Sequence, residues 1–577
     1  KAIEAASRVV AQTMWPLLGA TVIGIMAFSG IGLSPDATGE FLFSLFAVIG
    51  ISLLLSWVFA ITVTPLFGKY FFRTATGNLD DHDPYKGILY KAYRGILIGS
   101  LHVRLLTVAA LVGITVICVM AFGNVKQAFF PDSNTPIFYV HYWSPQGTDI
   151  RSTEADLKEM EKIVLTDERV ATVTSFAGGG ATRFMLTYAP EDANPAYGHM
   201  IIRTHDREEI DMLALELREQ FAERFPSAQI ITKRLVFGPG GGAKIEARFS
   251  GPDADELKRL GNEAQAIFAM PDNKLADVNT NWRQRELVVR PIFDEDRARI
   301  SGVTREELSV ALQFSTEGIR VGSYRDVDES IPIVARKAEQ NGISVNESVS
   351  DSLVLSSNER RYVPIEQVVR EFVMEPQDTL IHRRDRVRTL TVKAETTAGE
   401  TATAALARVR PQIEAIELPP GYALEWGGEY ESTNDAQESL GAQLPLGFLV
   451  MLIISILLFG SVRQPLIIWL MVPMSINGVA IALLATDTAF GFMSLLGFLS
   501  LSGMLIKNAI VLLEEIDLLI GEGRDKYQAI IDASVSRMRP VMLAAITTIL
   551  GMAPLLSDAF FRGMAVTIMG GLAFATV

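Results

Sequence analysis

Eight stretches of this sequence are apolar for long enough to approach a bilayer crossing, and they limit what the chain can fold into more than anything else in it. They cover residues 15–33, 41–66, 105–122, 444–459, 465–486, 492–513, 540–556 and 563–577. Lipid offers no partner to a bare peptide group, so a spanning segment closes its hydrogen bonds within a helix or a barrel, and single runs of about 20 apolar residues point to helices. Trp15, Trp57 and Trp469 suit interfacial or packed positions in them. Residues 123–443 form a polar block far too long for a loop and large enough for two or more domains. The last run stops short of a full crossing and residue 1 is not methionine, so the chain reads as a piece of a longer protein.

Composition agrees with a mixed protein. Of 577 residues 49% are hydrophobic, yet 20% are charged, and the mean hydropathy is +0.26. The net charge of −14 speaks against nucleic acid as a partner, because phosphate binding needs a basic stripe. The single cysteine, Cys118, lies inside an apolar run and reads as packing, with neither a disulfide framework nor a thiolate metal site. Residues 1–12 lack the order of charges, apolar core and cleavage site of a signal peptide.

Short connections carry the orientation. The one after residue 66 holds Lys69, Arg73, Lys86, Lys91, Arg94 and Arg104, the next relevant turn holds Arg463, and the one after Asp517 holds Arg524, Lys526, Arg537 and Arg539. Basic residues favour the cytoplasmic side of short loops, so the polar block is expected outside the cytoplasm with Asp487 and Asp558. The acidic Asp80, Asp81 and Asp83 count little in that rule.

One lysine, Lys507, sits in the sixth run beside Asn508. A charge at such depth costs roughly 2.5–3.5 kcal/mol and marks a functional site by default. A lysine near a helix end can snorkel, but Ile510, Val511, Leu512 and Leu513 prolong the run before Glu514, Glu515 and Asp517 appear. No acid lies deep inside any of the eight runs, so the partner carboxylate is expected outside this chain. Arg537 and Arg539 stand at the entry to the next run. The segment from Ile3 also aligns with that from Tyr527, placing Met14 opposite Met538 and Pro16 opposite Pro540, each proline opening an apolar span. Repeated halves suit a transporter that rocks about a central site, although proline at a first helical turn needs no repeat to explain it.

The polar block alternates strand and helix patterns. Strands are expected at 137–143, 170–176, 183–188, 229–237, 286–291, 388–394 and 423–429; helices at 152–165, 207–225, 255–268, after the capping box Thr304–Glu307, and at 402–416. Such units suit small α+β sandwiches of the split βαβ, ferredoxin-like kind. The run Gly238-Pro239-Gly240-Gly241-Gly242 lacks a following Lys-Ser/Thr and reads as a flexible tip, not a nucleotide loop. No HExxH or GxSxG motif occurs and the six histidines are scattered, so an enzyme is not expected. His199 with His205, or Met185 with Met200, are the nearest approaches to a metal pair, and no metal site or cofactor is expected from them.

IKNAIVLLEEID (506–517) and SRMRPVMLAAITTILGMAPL (536–555) resemble the tenth and eleventh spans of resistance–nodulation–division (RND) efflux transporters, in the hydrophobe/amphiphile or multidrug branch. FFPD (129–132), SPQGT (144–148), LPPGY (418–422) with Trp426, and VPMSINGVA (472–480) extend the resemblance over essentially the whole chain. It implies the C-terminal half of such a permease: transmembrane helices five to seven in 1–123, a periplasmic pore and docking domain in 124–437 with docking part about 294–378, and helices eight to twelve in 438–577. It implies a proton antiporter in the bacterial inner membrane, a homotrimer joined by a periplasmic adaptor and an outer-membrane channel, exporting amphiphilic small molecules or, alternatively, metal ions. The residues also leave open a non-transporting membrane receptor or assembly scaffold, in which Lys507 only pairs structurally. By resemblance Lys507 pairs with aspartates of the fourth span and Arg537 lies below it in a proton relay, with Asn508 alongside. Ala544 replaces the family's usual threonine, with Thr547 and Thr548 a turn deeper. The turn 177–181 stands where multidrug members carry an aromatic loop, making Phe176, Gly178, Gly179 and Gly180 the expected substrate-pocket residues.

Overall fold

The computed structural model describes residues 2–71, 87–185, 187–238, 242–337, 349–397 and 399–576. Arg73, Asp80, Asp81, Asp83 and Lys86, and the centre of the glycine tip at 239–241, lie outside them.

The chain opens with α1 (Ala2–Gly32), α2 (Ala37–Phe71), α3 (Ile88–His102) and α4 (Arg104–Phe122). Pro16 lies inside α1 near the start of its apolar stretch Thr13–Gly30, so the preceding helical turns run straight into the span; a proline removes one donor, which a long apolar helix tolerates. The sequence reading leaves α3 as a connection, because it is too short and too basic to resemble a crossing.

An antiparallel sheet follows. β1 (Ile137–Trp143), α5 (Ile150–Leu165), β2 (Val170–Ala177), β3 (Tyr197–Thr204), α6 (Ile210–Arg224) and β4 (Gln229–Arg234) give the strand order β2-β3-β1-β4. Successive side chains of a strand point to opposite faces. Phe138, Val140 and Tyr142 therefore enter a core with Met200 and Ile202 of β3, Leu157 and Met160 of α5, and Leu217 and Phe221 of α6. Tyr139, His141 and Trp143 take the helix-free face. The strand expected at 183–188 does not form: Arg183 and Phe184 lie in irregular chain. Tyr188, Ala181 and Met185 of this connection instead cover Tyr139, so apolar residues there serve packing onto the sheet and not pairing within it.

β5 (Ile245–Ser250), α7 (Ala254–Phe268) and β6 (Leu275–Thr280) begin a second sheet. The chain then forms a separate compact unit, Trp282–Ile381. Within it run β7 (Glu286–Phe293), α8 (Glu295–Ile300), α9 (Arg305–Ser315), β8 (Ile319–Asp326), β9 (Glu329–Ala335), β10 (Leu353–Ser356), β11 (Arg361–Pro364) and β12 (Val369–Gln377). β7 pairs with β12 and β10–β11 is a hairpin beside a core that includes Leu308, Val354, Val363 and Val368, whereas the β8–β9 hairpin is largely exposed. The capping box forms as expected, Glu307 N donating to Thr304 Oγ1 at 3.2 Å and Thr304 N to Glu307 Oε2 at 2.8 Å. The chain returns as β13 (Arg383–Arg384), β14 (Val387–Thr396), α10 (Ala402–Glu414) and β15 (Ala423–Gly428). The second sheet is antiparallel and has five strands, with both β6 and the two-residue β13 pairing with β14; without β13 the order β6-β14-β5-β15 repeats that of the first sheet.

The remaining helices are α11 (Glu429–Phe459), α12 (Arg463–Met471), α13 (Ile476–Ala485), α14 (Phe492–Gly521), α15 (Lys526–Met552) and α16 (Ala559–Thr576). α11 passes unbroken through the domain boundary expected at 437–438. The span expected at 465–486 is broken between α12 and α13 by a 3₁₀ turn, Val472–Ser475, holding Pro473. α15 begins well before Pro540 and runs through it. α16 begins at Ala559, where Asp558 Oδ1 accepts the N–H of Phe561 at 3.0 Å. Eight helical stretches among the described residues are long and apolar enough to cross a membrane. The most enclosed of them is α14, which packs against α1, α15 and α16.

Candidate functional site

α14 carries Lys507. Its neighbours Ile506 and Ile510 are buried against Ala20, Ile23 and Ala27 of α1, but Lys507 itself is exposed. Among the described residues no carboxylate pairs with it. Asn508 is half-buried beside it. Because α14 continues to Gly521, the acids expected beyond the span belong to the same helix. Glu515, about 12 Å further along the axis, accepts a hydrogen bond from Arg537 Nη2 of α15 at 2.5 Å. Arg537 Nε is buried and has no partner, whereas Arg539 is exposed. The structure thus brings Arg537 to Glu515, a partner the sequence reading did not assign. The hydroxyls of Thr547 and Thr548 both donate to the Ala544 carbonyl, at 3.0 and 2.9 Å, so α15's own backbone holds them.

The helix-free face of the first sheet is the second candidate. Register sets His141 of β1 opposite His199 of β3, with ring centroids 5.4 Å apart. Tyr139 and Tyr188 lie 5.6 Å from the His199 ring and Phe176 lies 6.1 Å from it. The glycine turn closes over this face: Gly178 N donates to the Tyr197 carbonyl at 2.8 Å, and the Gly178 carbonyl accepts from Asn194 N at 3.0 Å. A side chain at Gly180 would meet the Tyr188 hydroxyl at 3.0 Å, whereas Gly179 has open space. Phe176, Gly178, Gly179 and Gly180 therefore lie around His199, which the sequence reading paired with His205, and around Tyr139, His141 and Tyr188, which it did not single out. The signal was available in the alternation of Tyr139 with His141 and of Tyr197 with His199.

His199 is fully buried, and that burial pushes its pKa down to about 4, so the ring is neutral. Nδ1 accepts the Ala181 N–H at 3.3 Å, which leaves the proton on Nε2, and Nε2 has no partner. His141 Nδ1 and the Tyr197 hydroxyl lie 2.7 Å apart. Burial likewise pushes the Tyr188 hydroxyl up to about 12. The rings of this wall are buried beneath the connection, so the Nε2 donor is an unsatisfied interior group that a ligand reaches only if the cover lifts; a neutral imidazole is also a metal ligand. Met185 and Met200 do not meet, since Met200 enters the core under the helices and Met185 packs on the opposite face. His205 lies exposed beyond the end of β3. Among the described residues no group of three or more His, Cys, Asp or Glu is placed to hold a metal ion. Cys118 is buried in α4.

Between the two sheets lies a cavity of about 550 Å³ whose charges are paired across it. Arg218 of α6 meets Asp277 of β6 at 2.6 Å, and Lys233 of β4 meets Glu395 of β14 at 2.9 Å. Burial raises the Asp277 carboxyl to about 6, against the pull of Arg218.

The chain is similar to known proteins along its whole length. The Bacillus subtilis swarming motility protein SwrC is 22% identical over 577 residues, covering 97% of this chain and 53% of that protein. The nickel and cobalt resistance protein CnrA of Cupriavidus metallidurans is 24% identical over 486 residues, covering 80% and 44%. The multidrug resistance protein MdtC of Klebsiella pneumoniae is 22% identical over 575 residues, covering 94% and 52%. The chain spans about half the length of the curated relatives it matches. A crystal structure of a heavy metal efflux pump superposes with a TM-score of 0.75 at 21% identity, covering 99% of this chain and 58% of that one, so the two share a fold. The model of the AcrB/AcrD/AcrF family matches residues 1–577, and the chain belongs to that family of RND permeases.

Proposed function

We propose that this chain supplies the C-terminal half of an RND exporter working in the bacterial inner membrane. The observation that carries the reading is Lys507: a cation on the most enclosed span, exposed on this chain and without a carboxylate among the described residues. An aspartate from the rest of the protein completes the pair, and its protonation releases the lysine and shifts α14. Arg537, held by Glu515, and Asn508 continue the relay. The two repeated sheets are ferredoxin-like subdomains on the periplasmic side, Trp282–Ile381 is the docking unit, and the assembly is a homotrimer with a periplasmic adaptor and an outer-membrane channel.

Kinship reverses the order of cargo expected from the sequence. Metal resistance proteins stand among the relatives and a heavy metal efflux pump shares the fold, which favours metal cations. Amphiphiles are the second reading, favoured by the aromatic wall of Phe176, Tyr139, Tyr188 and His199 under Gly178–Gly180.

In the full-length protein, Lys507→Ala is expected to abolish export while trimer formation and expression hold; export at wild-type level rejects the relay. A susceptibility panel of cobalt, nickel, zinc and copper salts against dyes and detergents, in cells with and without the transporter, decides the cargo.

A further inference from the structure

α11 and α14 both begin on one residue. Phe129 lies in the connection between α4 and β1. Its N–H donates to Glu429 Oε1 at 3.1 Å, and Glu429 is the first residue of α11. Its carbonyl accepts the N–H of Phe492, the first residue of α14, at 3.0 Å. The same stretch is sewn to the loop before α14: Phe490 N donates to the Lys126 carbonyl at 2.8 Å, and Lys126 pairs with Asp487 at 2.7 Å. Glu429 is held in turn by Lys244, which precedes β5, at 3.2 Å.

The next residue reaches further helices. The Phe130 ring stacks on Phe492 at 5.5 Å and on Phe560 of α16 at 6.2 Å, and meets Phe41 of α2 edge-on at 6.1 Å. The chain then enters the first sheet at once: Phe237 N donates to the Pro131 carbonyl at 3.1 Å, and Ser133 N to the Leu235 carbonyl at 2.6 Å. Two consecutive residues thus touch α2, α11, α14 and α16 on one side and lead into β1 on the other. Glycine permits the approach. A Cβ at Gly491 would lie 2.9 Å from the Phe129 carbonyl oxygen, and one at Gly238 would lie 2.5 Å from the Phe130 ring. A cavity of about 230 Å³ beside Phe129, Glu429 and Phe492 leaves these groups room to shift.

We propose that Phe129 and Phe130, clamped by Glu429, are the positioning residues that carry a movement of the lysine-bearing helix α14 into the first sheet. The inference rests on the reading that α14 moves when Lys507 gains or loses its partner. Backbone hydrogen bonds transmit a displacement stiffly, and packed rings have discrete arrangements, so both ends of the junction bias one element.

The test uses the full-length protein in proteoliposomes under an imposed pH gradient, with proton entry read by a trapped pH dye and cobalt(II) and ethidium as cargo probes. Glu429→Gln keeps the shape but loses the charge held by Lys244, and Phe130→Leu keeps an apolar side chain but loses the ring stack. Each is expected to lower cargo flux about tenfold while proton entry stays near wild type, an uncoupling that mere loss of folded protein would not produce. Proton and cargo flux falling together in both variants, or neither changing, overturns the proposal. Lys507→Ala run in parallel separates the two readings: if it leaves both fluxes intact the relay itself is wrong, whatever the phenylalanine variants do.

Discussion

The two sheets have one topology and opposite faces. In each, the inward residues of the first strand are apolar, Phe138, Val140 and Tyr142 in β1 and Ile245, Ala247 and Phe249 in β5. The outward residues diverge. β1 presents Tyr139 and His141 to a covering connection, whereas β5 presents Glu246 and Arg248, and Arg248 ties Glu246 at 2.7 Å to Glu431 of α11 at 2.6 Å. Their inserts differ at the same point as well: between second and third strands the first sheet has the glycine turn and the second has the whole Trp282–Ile381 unit. The core face decides that the sheet forms; the other face decides what it is used for. One makes an aromatic wall, the other a charged anchor for a membrane helix.

Breaking the anchor has the largest expected effect on stability. Arg248→Ala leaves the buried Glu246 without its cation while Glu431 keeps Arg384, and one uncompensated buried carboxylate of this kind costs about 3 kcal/mol. The thermal midpoint of the purified protein reads it; an unchanged midpoint removes the anchor. The aromatic wall predicts a pH dependence instead. His199 sits at about 4 in the fold against about 6.5 unfolded, so between those values the unfolded chain binds a proton that the folded one refuses. Stability is insensitive to this group above pH 6.5 and declines as pH falls towards 4, by at most about 3 kcal/mol. His199→Phe removes that slope, and unfolding profiles from pH 7 to 4 that coincide for the two proteins contradict it. The smallest effect belongs to the inserted unit: Thr304→Ala loses the cap on α9, worth about 1 kcal/mol. Local hydrogen exchange in α9 is the measurement, and protection equal to wild type rejects the estimate.

Long apolar runs and helical periodicity were legible because they are properties of consecutive residues. α4 matches its expected limits to a residue, and α5, α7 and α10 to within two at each end. Errors fell where neighbours in space decided. The apolar residues at 183–188 fit a strand by pattern, yet β2 and β4 already end the sheet and the segment packs on its face. Glu515 was set outside the span because an acid breaks an apolar run, but Arg537 meets it from α15. The site divides the same way. Lys507, Arg537 and the glycine turn stand out by residue type, while His199 gains its character only from what covers it.

By itself the sequence determined that eight stretches are apolar enough for a membrane, that a large polar block divides them, and that one lysine lies among apolar neighbours; each follows from the free energy of transferring consecutive residues out of water. Tertiary structure alone decided that Lys507 keeps an uncovered side, that two histidines 58 residues apart share one face, and that Phe129 joins two helices beginning hundreds of residues later. Those facts depend on register and on hydrogen bonds between distant segments, and no local preference encodes them.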